Sequence, residues 1–216
     1  MNSERVDYQA SLPPVSRPRL VLSRRSTLPG LTVALIGAWL PATAHDGFGP
    51  VVPPLEVPYF ELMTSDGERL PLHRLLIGHA TAVQLMFTNC RSICPIDAAT
   101  LARVQDALGD HPASQTQLLS LSIDPATDTP EKMRSWLQRF GARPMWTAAA
   151  PLPEDILRVR AFFDRRSNFG EDHSTVISLI DSQARLVWRT LELPSPQEVA
   201  KLLNGFVEAE LPASER

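Results

Sequence analysis

The chain holds two cysteines, Cys90 and Cys94, four positions apart in the run Phe87-Thr88-Asn89-Cys90-Arg91-Ser92-Ile93-Cys94-Pro95. A helical pattern opens just after the second: proline suits a first helical turn, and Asp97 there favours the helix dipole. A thiolate at a helix N-terminus has its pKa lowered, because unpaired N–H groups and the dipole stabilise negative charge. Arg91 adds a cation between the two. Two sulfurs on one side of a loop that tightens into a helix can close as a disulfide or bind one metal ion. A purely structural bridge across three residues closes a very small loop and constrains the unfolded chain little. Two thiolates under-fill a structural zinc site, which takes four ligands. Soft sulfur selects Cu(I), and an added imidazole suits Cu(I) and Cu(II) alike.

Five histidines are candidates for that imidazole. His73 and His79 flank a connecting segment, and His111 precedes Pro112 in a loop; all three read as surface residues. His45 would become the first residue after removal of the leader described below, where its amine and ring together can chelate Cu(II). His173 stands apart. It lies in Glu171-Asp172-His173-Ser174, immediately before the buried strand pattern Thr175–Ile180.

The elements that must position these groups follow from apolar periodicity. Tyr59–Met63 and Arg69–Leu72 form a hairpin across Asp66-Gly67. Thr81–Thr88 is a continuous apolar run suited to the middle of a sheet, followed by the cysteines and a helix from Ile96 to about Leu108. Gln117–Ile123 reads as a second buried strand. Thr129 caps a helix that has Pro130 at its first position and ends at Gly141. Met145–Ala149 is a short strand and Glu154–Phe163 a helix. Thr175–Ile180 and Arg185–Leu191 make a second hairpin. Ser195, with Glu198 three residues on, resembles a capping box opening a last helix to about Glu208.

This order predicts an α/β fold of thioredoxin-like type, a central mixed sheet flanked by helices, with an N-terminal hairpin added. In such a sheet the loop entering the strand after residue 174 faces the cysteine-bearing helix start. Thiol-disulfide enzymes of that fold usually carry a cis-proline there, but no proline occurs between Pro153 and Pro194. His173 occupies the place instead, so Cys90, Cys94 and His173 are expected to form a three-ligand site for one copper ion. Asp124 and Asp128 have a plain explanation as a turn before Pro125 and a helix start before Pro130.

Residues 1–44 are set aside from the fold. Arg17, Arg19, Arg24 and Arg25 precede an apolar run from Leu28 to Leu40, and Ala42-Thr43-Ala44 supplies a small-residue cleavage pattern. Together these read as a secretory signal peptide. Ser23-Arg24-Arg25-Ser26-Thr27-Leu28 also resembles a twin-arginine export motif. The run is shorter than the roughly 20 residues a membrane span needs, so no permanent span is expected. The expected organisation is a leader at 1–44, a Pro/Gly-rich lead-in at 45–58, a domain at 59–210 and a tail at 211–216. Export places the protein in a periplasmic or otherwise oxidising compartment, where nearby thiols persist as a disulfide unless reduced or metal-bound.

Composition narrows the classes further. The 216 residues carry a net charge of −3. The leader holds five arginines and two acids, which leaves 16 basic against 22 acidic residues and −6 for 45–216. Nothing in that balance offers a footprint for nucleic acid. Two cysteines exclude a multi-disulfide scaffold and a four-cysteine zinc site.

Three segments in order, FTNCRSICP (87–95), SIDPATDTPEKM (122–133) and DHSTVISLIDSQARLVW (172–188), resemble the SCO/SenC copper-chaperone family over roughly residues 57–207. The resemblance implies a thioredoxin fold and copper, as Cu(I) or Cu(II), held by Cys90, Cys94 and His173. It implies delivery to an acceptor such as the dinuclear copper site of a cytochrome c oxidase subunit, with thiol-disulfide reduction of that site's cysteines as a further role and a thioredoxin-like reductant as a further partner. It also implies that Asp124 lies near the copper, supporting the site rather than ligating. Many relatives carry proline after the first cysteine, where this chain has Arg91. The alternative class is a periplasmic thiol-disulfide oxidoreductase or thioredoxin-like peroxidase, in which Cys90 or Cys94 attacks a partner disulfide, the other resolves it, and His173 is incidental. A copper or redox sensor is a third reading.

Overall fold

The computed structural model describes residues 48–109, 115–164, 175–191 and 193–210. The expected leader and tail, and with them His45, His111 and His173, lie outside the described residues. The strands are β1 (Gly49–Glu56), β2 (Glu61–Thr64), β3 (Arg69–Pro71), β4 (Ala80–Met86), β5 (Thr116–Ser122), β6 (Trp146–Pro151), β7 (Ser178–Ile180) and β8 (Arg185–Arg189). The helices are α1 (Leu72–Leu76), α2 (Cys94–Leu108), α3 (Pro130–Arg139), α4 (Ile156–Phe163) and α5 (Pro196–Glu210). One mixed sheet contains the eight strands in the order β1-β8-β7-β4-β5-β6-β2-β3.

The centre of the sheet is parallel. β4 pairs with β5 from Ala80↔Thr116 to Met86↔Ser122, and β5 pairs with β6 from Leu118↔Trp146 to Leu121↔Ala149. Parallel neighbours need crossover connections, which α2 and α3 supply. Every residue of β4 is buried, as a strand covered on both faces requires. Ala82 and Met86 face a core shared with Leu101 of α2, Trp136 of α3 and Leu203 of α5. Val83 and Leu85 face the opposite core, with Leu76 of α1 and Val159 of α4. This is the expected thioredoxin-like α/β arrangement.

Both expected hairpins form. In the first, Gly67 takes φ +84°, a left-handed conformation open to glycine, and its N–H bonds the Thr64 carbonyl at 3.0 Å. That hairpin adds to the far edge of the sheet, where Leu62 lies opposite Pro151. α3 begins as its sequence predicts, the Thr129 hydroxyl accepting the Lys132 N–H at 3.4 Å. At the start of α5 the Ser195 hydroxyl donates to Gln197 Oε1 at 3.1 Å rather than closing a box with Glu198.

Two elements differ from expectation. Residues 49–56, read as a lead-in, pair antiparallel with β8 from Gly49↔Arg189 to Glu56↔Arg185, with an irregularity between Pro50 and Leu55. Prolines hide such a strand from a sequence reading, yet an edge tolerates them because one row of its N–H groups pairs with nothing. α1 is too short to show helical periodicity; Leu72 and Leu76, one turn apart, are both buried. No described helix is long and apolar enough to cross a membrane.

Candidate functional site

The site lies at the carboxyl ends of β4 and β5. Ligands of open sheets with parallel strands gather there, because the chain leaves each strand in a loop and re-enters through a helix start. β4 ends at Met86 and the chain turns at once, the Cys90 N–H donating to the Phe87 carbonyl at 3.1 Å. α2 then begins at Cys94, with Pro95 in its first turn. Its N-cap residue, Ile93, offers no side-chain oxygen to the free N–H groups of that turn. Cys90 serves instead: its sulfur accepts the Cys94 N–H at 3.4 Å. The Ser92 hydroxyl lies 3.8 Å from the same sulfur. The structure therefore brings the two cysteines together at the start of the helix, and both are free thiols with little exposure, 6% and 0%.

The pair is electrostatically unequal. Burial works against the Cys90 thiolate, but hydrogen bonds from the Cys94 side chain and N–H, and from Ser92, outweigh it and bring the Cys90 thiol below its ordinary value. Burial pushes the Cys94 thiol up, and its bond to Cys90 together with the nearby charges of Cys90 and Asp97 pushes it further. Of the two, Cys90 is therefore the thiol that gives up its proton more readily. Hydrogen bonding, rather than the Arg91 charge, accounts for the lowering; Arg91 is exposed. Asp97, in the first turn of α2, is 3% exposed, and burial pushes its carboxyl up to about 7 despite the helix dipole.

Two residues before Cys90 begins a polar network whose centre, Asp128, reads in the sequence as an ordinary helix start, and which includes the Asp124 expected near the site. Asp128, 3% exposed, accepts the Thr88 N–H at 3.1 and 3.2 Å, the Thr88 hydroxyl at 2.5 Å and the Ser122 hydroxyl at 2.6 Å. Ser122 in turn accepts the Asp124 N–H at 3.0 Å, and the Asp124 carboxylate takes the Thr127 hydroxyl. No local pattern in the sequence marks this network, because β4 and β5 carry polar residues elsewhere as well, Gln84 and Ser120 among them.

The histidines divide by the topology. His73 is exposed on α1, and the His79 ring bonds the Ile77 carbonyl at 3.1 Å. Both precede β4, whose seven residues, at about 3.3 Å each, put them far from the thiols at its other end. β7 runs antiparallel to β4, with Thr81 opposite Ile180 and Val83 opposite Ser178. The chain therefore enters β7 at the end of the sheet where β4 leaves for Cys90. His173 itself lies outside the described residues. Among the described residues, no three His, Cys, Asp or Glu side chains converge as a metal site.

A mixed sheet with helices on both faces and a thiol pair opening the first long helix defines a thioredoxin-like dithiol protein. The chain belongs to the SCO1/SenC family, whose sequence pattern matches residues 53–208. "Protein SCO1 homolog 1, mitochondrial" of Arabidopsis thaliana is 26% identical over 136 residues, 59% of this chain and 40% of that protein. The match therefore spans less than half the length of this relative. The fold is similar to Bradyrhizobium japonicum ScoI with copper bound, at a TM-score of 0.58 and 23% identity over 70% of this chain and 99% of the other. It is also similar to BsSco, a member of the Sco family of cytochrome c oxidase assembly proteins, at a TM-score of 0.59 and 19% identity over 70% and 92% of the two chains.

Proposed function

We propose that the protein is an exported copper metallochaperone. Copper is its cargo, held by Cys90, Cys94 and His173 and passed by ligand exchange to an acceptor such as the dinuclear copper site of a cytochrome c oxidase subunit. The observation that carries this reading is the Cys94 N–H on the Cys90 sulfur at 3.4 Å, which brings two soft donors together at the helix start, with the Cys90 thiol held below its ordinary value by hydrogen bonds. Sulfur donors of this kind select Cu(I), and a neighbouring imidazole extends the site to Cu(II). Support for His173 comes from its place in the chain. It lies two residues before Thr175, and from there the chain enters β7 at the end of the sheet where β4 leaves for Cys90. The family and the copper-bound relative point the same way. The proposed compartment follows from the leader pattern at 1–44, and arrival there calls for a reductant before the thiols can take metal.

Loading must release the thiol protons, because a metal binds thiolate rather than thiol. Cys90 gives up its proton more readily than Cys94, whose thiol burial pushes up. The test is copper titration of the reduced protein against a chelator, with spectra, for the wild type, His173→Ala and Cys90→Ser. One equivalent should bind to the wild type. His173→Ala should weaken Cu(II) by at least about tenfold, the usual cost of disturbing a metal site, and shift the thiolate-to-copper absorption. Reduced wild-type protein that takes no copper overturns the reading. Intact disulfide exchange in His173→Ala, lost in Cys90→Ser, would then indicate the oxidoreductase.

A further inference from the structure

Thr88 stands two residues before Cys90, and its backbone and side chain both end on one buried carboxylate, that of Asp128. The same carboxylate takes the Ser122 hydroxyl at the end of β5, and the backbone N–H of Asp128 donates to the Asp124 carbonyl at 3.0 Å. The next residue, Thr129, caps α3. One side chain thus joins the exits of the two central strands to the start of the following helix. We propose that Asp128 is a positioning residue for the thiols: by holding Thr88 it fixes the 87–90 turn, and that turn sets the Cys90 sulfur on the Cys94 N–H.

The residue type fits the task. Three donor groups converge on Asp128, and a carboxylate has about four lone-pair sites to meet them. An asparagine has one oxygen and must turn its NH2 toward a donor. The hydroxyl contacts, 2.5 and 2.6 Å, have the length of hydrogen bonds to a charged acceptor, about twice as strong as neutral ones. A cap alone would need none of this, because Thr129 already does the capping.

The inference rests on Cys90 and Cys94 being the working thiols, and its test separates that premise from the positioning. Asp128→Asn, Thr88→Val and Ser122→Ala are compared in the reduced full chain by amide exchange, thermal unfolding and Cu(I) competition with a chelator. Asp128→Asn and Thr88→Val should speed exchange of the Cys94 amide about tenfold relative to that of Leu101 in the same helix, the ordinary net worth of one hydrogen bond. Cu(I) affinity should fall by a similar factor. Ser122→Ala removes a bond from the same carboxylate but none from the thiol turn, so it should lower the unfolding midpoint and leave Cys94 exchange as in the wild type. Exchange at Cys94 that merely follows Leu101, or a Ser122→Ala effect equal to that of Thr88→Val, overturns the proposal. Should Asp128→Asn fail to fold, Thr88→Val, which keeps the backbone bonds, decides alone. If the wild type binds no copper, the cargo reading fails, while the exchange comparison still decides the positioning.

Discussion

Asp97 is a carboxyl placed where two influences oppose each other. The start of α2 favours its charge and its burial opposes it; burial wins, and the group sits at about 7. The folded value lies above the unfolded one of about 4. The native state therefore keeps a proton that the unfolded chain gives up, and stability falls as pH rises from about 4 to about 7, then levels. Asp97→Asn carries no charge in either state and should therefore flatten that slope. Urea unfolding of both proteins at pH 4, 6 and 8 checks this; parallel pH profiles would contradict it. At the level of single side chains, the sequence was most informative where the chemistry is local. Cys90, Cys94 and Pro95 lie within six positions, so their meeting at a helix start could be read directly. Asp128 could not, because Thr88, its chief partner, lies 40 positions away and Asp-Thr-Pro reads equally well as an ordinary helix start.

The strands and helices that carry these groups were legible in proportion to their burial. β4 and β5 announce themselves as apolar runs because both faces are covered. β1 did not, since three prolines in eight residues mimic a linker and only pairing with β8 shows the strand. One conflict remains inside β4. Gln84 is 1% exposed, and among the described residues neither its Nε2 nor its Oε1 finds a hydrogen-bond partner. By alternation it faces the same side as Ala82 and Met86, toward α2 and the thiols. Gln84→Met keeps the volume and removes the orphaned amide, and should stabilise the fold by about 1 kcal/mol or more. A lower urea midpoint in the variant would show that the amide is satisfied in solution.

Across the molecule, stability should grade from the middle of the sheet to its edges. β4 is paired on both sides and covered above and below, whereas β1 holds its place by one neighbour and is largely exposed. Amide exchange of Val83 and Leu119 should therefore proceed only through global unfolding, and that of Val51 and Leu55 through local opening. Denaturant dependence distinguishes the two: the central amides should respond with the full unfolding slope and the edge amides with almost none. Equal slopes would mean that β1 is an integral part of the cooperative unit.

The tie between Thr88 and Asp128 also bears on timing. A chain that has emerged only as far as α2 already carries both sulfurs, but not the side chain forty positions on that secures their turn. Until that later stretch arrives and docks, the turn is unsecured, and on the role proposed for Asp128 the pair holds metal about tenfold more loosely. A growing polypeptide would thereby tighten its grip on copper only once its central strands are in register.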